Sequence, residues 1–412
     1  MSSYSQISTA KKLILGLQHV LAMFGATVLV PILTGLDPGV AILCAGIGTL
    51  VFHSVTKGIV PVFLGSSFAF ISAIALTLSQ FGIGAVKTGI IATGLVYIIM
   101  ALIIKSVGVE KVKSFFPPIV VGPIIMVIGL RLSPTAINML KVDGLIHPKY
   151  AFVAFVVVLS VIAISIFAKG FFKMVPILIS VIIGYVLAIF LDMVDLSHVY
   201  NASWIGFSDN ALSSILTLPD FSSAGLTAVI ALAPIALVVF IEHIGDITTN
   251  GAVVGKNFFE NPGIHRTLIG DGLATIVAGL LGGPANTTYG ENTGVLAVTK
   301  VYNPEVIRIA AIFAILLSFC GKFTAIVQII PPAVMGGISI VLFGMISAVG
   351  VRTLVEEHLD FNNSRNLLIA AIIFVIGIGV SDVPLSDTIT ISGLALAALF
   401  GVILNKLLPE NI

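Results

Sequence analysis

Three acids stand where an acid is costly. Glu242 and Asp246 close the apolar run 224–245, and Glu291 follows the run Asn286-Thr-Thr-Tyr-Gly inside another. An ionised carboxylate near a bilayer centre costs about 2.5–3.5 kcal/mol on insertion scales, so each needs a function or a partner there. Spaced by four, Glu242 and Asp246 share one helix face a turn apart. Burial and mutual repulsion favour keeping a proton on one of them, which equips the pair to exchange protons with the medium. Glu291 sits where a helix should begin after an extended stretch. The first amides of that helix have no partner within it and point free N–H groups at the same space. Gly65-Ser-Ser-Phe-Ala-Phe is its counterpart, where the Phe68 amide would do the same. Donors and acceptors gathered at one place fit a small polar solute.

Other polar residues read differently. Asp271, at the start of an apolar run, reads as an ordinary N-terminal acid. His19, beside Gln18, is equally a strut between helices or a support for the site. His243 lies one residue from Glu242, about 100° round the helix, and should pack elsewhere. No His/Cys cluster has metal spacing, no glycine-rich loop follows a strand to hold a nucleotide, and nothing points to a nucleophile set. No metal and no cofactor is expected, only a proton as coupling ion.

The elements that position these residues follow from composition. Of 412 residues 58% are hydrophobic and 9% charged, against roughly 25% charged in a soluble domain. Lipid must be the solvent. A net charge of +1 gives no reason for a nucleic-acid partner, and Cys44 and Cys320 both lie in apolar stretches as small hydrophobes. The pattern predicts an all-α polytopic membrane protein with about fourteen spans. They centre near 13–31, 39–56, 64–80, 87–105, 115–131, 150–168, 174–192, 224–245, 268–282, 288–300, 306–326, 332–350, 366–380 and 389–408. The third and tenth are poor helices. Pro61-Val-Phe-Leu-Gly-Ser-Ser-Phe and Gly282-Gly-Pro-Ala-Asn-Thr-Thr-Tyr-Gly suit extended backbone, which membrane depth tolerates only inside protein or beside a cavity. With the N-terminus inside, 15 of the 20 lysines and arginines fall on the cytoplasmic side. Both termini are then cytoplasmic, in a plasma membrane read as bacterial from the compact loops.

The halves echo each other. Phe116-Pro-Pro-Ile-Val-Val-Gly-Pro-Ile opens the fifth span and Ile330-Pro-Pro-Ala-Val-Met-Gly-Gly-Ile the twelfth. Leu17-Gln-His-Val in the first answers Ile241-Glu-His-Ile in the eighth. Both pairs stand seven spans apart, and an odd number inverts the second half. Residues 1–192 then form one repeat, 193–221 an extracellular linker without Lys or Arg, and 222–412 the second repeat. Inverted repeats with broken spans at matching positions are the signature of alternating access.

Glu291-Asn-Thr-Gly-Val-Leu-Ala-Val-Thr-Lys300 resembles the signature of the nucleobase–ascorbate transporter family, and Gln18-His19, Ser66-Ser-Phe68 and Glu242-His243 resemble further motifs of it. Thr287-Thr-Tyr-Gly-Glu-Asn292 is similar to the branch that carries uracil; purine carriers usually have Gln at Glu291. The resemblance covers essentially the whole chain. It implies a substrate-binding core (spans 1–4 and 8–11), a gate (5–7 and 12–14), and a homodimer in lipid. It implies that Phe68, Glu242, Gly290 and Glu291 contact the base and Tyr289 lines the pocket. Glu242, Asp246 and Glu291 would couple protons, with Gln18, His19, Ser67 and Asn292 in support. Asp246 is a departure, since some uracil carriers have His there and purine carriers commonly Asp. A proton-coupled uracil symporter is the expectation, with a purine or xanthine symporter on the same scaffold as the alternative. An anion transporter would need a basic residue in the pocket, and a membrane enzyme a nucleophile or metal set.

Overall fold

The structure is a computed structural model that describes residues 8–108, 110–111, 114–380, 382–386 and 389–409. The polar residues 1–6 and Lys113 of the charge count lie outside the described residues. The chain is mostly helical. Among the described residues eight helices are long and apolar enough to cross a bilayer. The number is nine if the pair Pro304–Ser318 and Gly321–Gln328, bent by 83°, is one span.

The first half contributes α1 (Thr9–Thr34), α2 (Pro38–Val55), strand β1 (Leu64–Ser66), α3 (Ile71–Val107), α4 (Pro118–Asn138), α5 (Pro148–Phe167) and α6 (Pro176–Phe190). The second contributes α7 (Ser223–Leu232), α8 (Ala236–Val254), α9 (Ile264–Leu281), strand β2 (Asn286–Thr288), α10 (Gly290–Thr299), α11 (Pro304–Ser318), α12 (Gly321–Gln328), α13 (Pro332–Glu356), α14 (Ser364–Gly379) and α15 (Gly393–Leu407).

Local chemistry sets the ends. Asp37 caps α2, its Oδ1 accepting the Val40 amide at 3.0 Å, with Pro38 pre-set at the first helical position. Gly35 closes α1 in the left-handed region (φ 82°). Gly82 (φ 77°, ψ 179°) breaks α3, so the third predicted span is a half-helix joined to the fourth through one residue.

The two stretches expected to be extended are so, and they meet. Strands β1 and β2 pair antiparallel, with Leu64 opposite Thr288, Gly65 opposite Thr287 and Ser66 opposite Asn286. The Tyr289 amide to Phe63 O (3.0 Å) and the Ser67 amide to Ala285 O (2.9 Å) lengthen the ladder. Every residue of both strands is buried. Pairing is what lets non-helical backbone stand at that depth.

Several boundaries move. α8 continues to Val254, beyond the predicted limit of 245, joined to α7 by a 3₁₀ turn, Ala233–Ile235, that contains Pro234. The fourteenth predicted span, 389–408, is helical only from Gly393. Its start belongs to a hairpin of Asp382–Ser386 with Ile389–Ser392, where β-branched residues favour a strand. The linker 193–221 carries two short helices, Ser197–Asn201 and Asp209–Leu216.

The densest helix contacts fall into two sets: α1, α2, α3, α7, α9 and α11 with one another, and α4, α5, α6, α13, α14 and α15 with one another. Glycines allow the closest approaches. A Cβ on Gly94 of α3 would stand 2.5 Å from Gly272 O of α9, and one on Gly272 2.8 Å from Gly94 O. In the second set Gly350 of α13 lies equally tight on Gly122 O of α4, at 2.5 Å. Small residues at such crossings are how helices associate in lipid.

Candidate substrate-binding site

The strand crossing is fastened on several sides. Thr49 Oγ1 of α2 accepts the Leu64 amide at 2.9 Å, and Ser66 Oγ donates to Thr27 O of α1 at 3.1 Å. Thr275 Oγ1 of α9 donates to Asn286 O at 3.1 Å, while Asn286 Nδ2 donates to Cys44 O at 3.1 Å. The Tyr289 hydroxyl donates to Ser66 O at 3.0 Å, and its ring lies so close on Gly65 that a Cβ there would stand 2.4 Å from it. Tyr289, expected to line a pocket, is packed into this crossing and only 3% exposed. Its ring holds the two strands in register.

A half-helix leaves the crossing on each side. Ser67 is buried, and Phe68 opens a 3₁₀ turn (Phe68–Phe70) that leads into α3. On the other side Gly290 opens α10, with Glu291 in its first turn. The first amides of each have no carbonyl of their own helix to meet. The Phe68 ring meets Phe343 of α13 edge-on at 6.2 Å, so the second helix set closes over the first here.

The three acids gather at this place. Glu242, Asp246 and Glu291 are half-buried, and each acid of α8 lies within electrostatic reach of Glu291. Asp246 is held from below, because Thr288 Oγ1 donates to its Oδ2 at 2.7 Å, and its Oδ1 lies 3.9 Å from where a Cβ on Gly290 would be. Gly245, Thr249, Gly290 and Gly294 are exposed beside them. These residues follow helical spacing along α8 and α10, an exposed line that leads from the acids toward Lys256 and Lys300.

The support residues split. Asn292 Nδ2 donates to His19 O at 3.0 Å and lies 3.1 Å from His19 Nδ1, which ties α10 to α1. Gln18 is half-buried on α1, one residue from that tie. His243 packs away from Glu242, as its angle predicts, but its partner changes the reading of Asp271. Asp271 lies seven residues inside α9, 1% exposed, with Oδ2 2.7 Å from His243 Nδ1. His243 Nε2 meets Thr267 Oγ1 at 2.9 Å. Asp271 is therefore one side of a buried His–Asp pair rather than a helix-start acid. Its place in an apolar run was visible in sequence; its partner, on another helix, was not. Asn250 escaped notice too. Its Nδ2 donates to Thr293 Oγ1 (3.1 Å) and Pro61 O (3.3 Å), which binds α8 to both broken segments.

Chemically, the site offers carboxylates as acceptors and helix-start amides as donors around one strand crossing. Comparison with known proteins agrees with a carrier. The family model described as "Permease family" matches residues 10–386. A uracil permease of Bacillus caldolyticus is 45% identical over 398 residues, covering 96% of this chain and 91% of that one. The uracil permease of Escherichia coli (strain K12) is 39% identical over 409 residues, covering 97% and 93%. Among solved structures, the transmembrane domain of the cyanobacterial bicarbonate transporter BicA superposes with a TM-score of 0.67 at 16% identity, covering 96% of each chain. The murine solute carrier 26 family member A9 anion transporter in its inward-facing state gives 0.69 at 12%, covering 98% of this chain and 68% of that one. These two share the fold. From the family match over nearly its whole length and its near-half identity to curated relatives, the chain belongs to the permease family of nucleobase–ascorbate transporters.

Proposed function

We propose that this protein imports uracil by alternating access, in symport with protons. Its relatives are permeases rather than enzymes, and those named uracil permeases match it at 39–45% identity over nearly full length. The observation that carries the reading is the convergence of two helix starts, Phe68 and Gly290, with Glu242, Asp246 and Glu291 at the β1–β2 crossing.

Uracil has two ring N–H donors and two carbonyl acceptors and is neutral at physiological pH. Glu242 and Glu291 accept the N–H groups, and the Phe68 and Gly290 amides donate to the carbonyls. Cytosine presents an amino group where uracil has a carbonyl, so a backbone N–H would face a donor and binding fails. Proton uptake on Glu242 or Asp246 readies the site, and release inside loosens the substrate. The scaffold in this proposal is fourteen spans in two inverted repeats. The helix set around α1–α3 and α7–α11 is the core, and the set around α4–α6 and α13–α15 is the gate. It has cytoplasmic termini, lies in the bacterial plasma membrane, and functions as a homodimer. Its substrates do not extend to xanthine, the purine reading of the same scaffold.

Uptake of labelled uracil into proteoliposomes under an imposed proton gradient tests this. The Glu242→Gln protein should lose accumulation, and excess xanthine should leave wild-type uptake intact. Undiminished gradient-driven uptake by Glu242→Gln would refute the proton role. Competition by xanthine would move the assignment to purines.

A further inference from the structure

The segment between the halves is a strap with two unlike faces. Its inner face is riveted to one helix set. Lys322 Nζ, just inside α12, donates to Val199 O (2.7 Å) and Tyr200 O (2.8 Å), and the Gly206 amide donates to Phe319 O at 2.9 Å. Ser208 Oγ donates to Asp37 Oδ2 at 3.2 Å. Lys87, fully buried in α3, donates through Nζ to Ile215 O (3.1 Å), Thr217 O (2.6 Å) and, across the gap, Leu280 O of α9 (3.0 Å). The Asp220 amide meets Gly84 O at 3.0 Å, and Thr88 Oγ1 donates to Asp220 O at 2.6 Å. All these anchors lie on α2, α3, α9 or the α11–α12 bend.

The outer face is apolar. Tyr200, Trp204, Ile205, Leu216, Leu218 and Phe221 are between 73% and 85% exposed. The strap has acids but no Lys or Arg from 193 to 221. It is continuous with lipid-facing surface at both ends: Phe190, closing α6, is 81% exposed, and Leu226, in the first turns of α7, is 61% exposed. A strap held this firmly cannot fold its hydrophobes back onto the protein. Tryptophan and tyrosine with aliphatic neighbours at the end of membrane spans match the headgroup–acyl boundary, where an apolar ring body and a polar N–H or O–H are both satisfied. The Lys322 ammonium, 6.0 Å from the Trp204 ring centroid, puts a cation at the same level.

We infer that the strap is embedded in the outer-leaflet interface, with phospholipid covering its apolar face, and that it travels with the helix set to which it is riveted. The strap itself carries acids and no Lys or Arg, which suits choline or ethanolamine headgroups, whose ammonium can approach Asp209 and Asp220 at the end away from Lys322.

Trp204 is the only tryptophan in the chain, which makes the test direct. The whole protein goes into phosphatidylcholine nanodiscs, and its emission is read with acyl-brominated phosphatidylcholine and, separately, with aqueous iodide. Embedding predicts blue-shifted emission that loses on the order of half its intensity to brominated lipid and little to iodide. Strong iodide quenching without a bromolipid effect would mean the strap faces water and overturns the inference. Insensitivity to both quenchers would mean protein covers it, such as a second copy, and overturns it too. The double variant Trp204→Phe, Phe221→Trp repeats the reading at the other end of the strap, where the same pattern is expected.

Discussion

At the scale of single residues, the acids were legible because a carboxylate in an apolar run has no cheap explanation. Their contacts were not. Thr288 on Asp246 and Asp271 on His243 join segments 42 and 28 residues apart, and no spacing rule encodes such pairs. Tyr289 shows the consequence. The resemblance implies that it lines the pocket, and the structure adds that its ring packs on Gly65, where it helps align two strands. Gly65→Ala should therefore be severe. Its Cβ would stand 2.4 Å from a ring that is itself pinned to Ser66 O, so either the ring or the strand must shift. Uracil uptake is expected to fall at least about tenfold, with the shortfall in uracil binding measured on purified protein. Tyr289→Phe should be milder: it keeps the ring and loses the hydroxyl's bonds to Ser66 O and from Thr27 Oγ1, about 1–2 kcal/mol of stability, read as a lower melting temperature with uracil binding retained. Equal damage from both variants would contradict this division of labour.

Elements were readable where composition forced them. Glycine, proline and hydroxyl-rich stretches at 61–68 and 282–290 announced extended backbone, and their mutual pairing follows once each is known to need partners away from water. The break at Gly82 was less visible, since one glycine in an apolar run is common in membrane helices. Its φ of 77° with ψ of 179° belongs to a region nearly reserved for glycine, and a Cβ there would meet open space. Any cost of Gly82→Ala must then come from backbone strain alone, about 1–3 kcal/mol. The expected result is a lower melting temperature in detergent, with the uracil affinity of the surviving folded protein unchanged. A normal melting temperature would show that the joint between half-helix and α3 tolerates another path. The hairpin before α15 was missed for a different reason. Its residues are apolar enough to extend a predicted span, and only their β-branching hints at strand.

At the scale of the whole molecule, charge asymmetry predicts an orientation and the repeated Pro-Pro openings of α4 and α13 predict a symmetry. These two helices turn out to pack on each other through Gly122 and Gly350, a pairing no linear comparison contains. What neither signal supplies is which way the site is open. The exposed line through Gly245 and Thr249 on α8, and through Gly290 and Gly294 on α10, runs from the acids toward Lys256 and Lys300. On the opposite flank Phe68 is closed over by Phe343, and Arg131 donates to Val380 O at 3.1 Å beside the same ring. Water should therefore reach the acids from the side bearing Lys256 and Lys300, the cytoplasm under the proposed orientation. Neither Gly245 nor Gly294 has a neighbour within 4 Å of an added Cβ, so a cysteine fits at both without rearrangement. In a Cys320→Ser background, Gly294→Cys and Gly245→Cys should react with a membrane-impermeant maleimide in inside-out vesicles and stay unlabelled in intact cells. Bound uracil should slow the reaction at both positions, because each is exposed within a helical turn of Glu242 or Glu291. Labelling from the cell exterior at the same rate would mean that the cleft opens the other way, and with it the order in which proton and base are released.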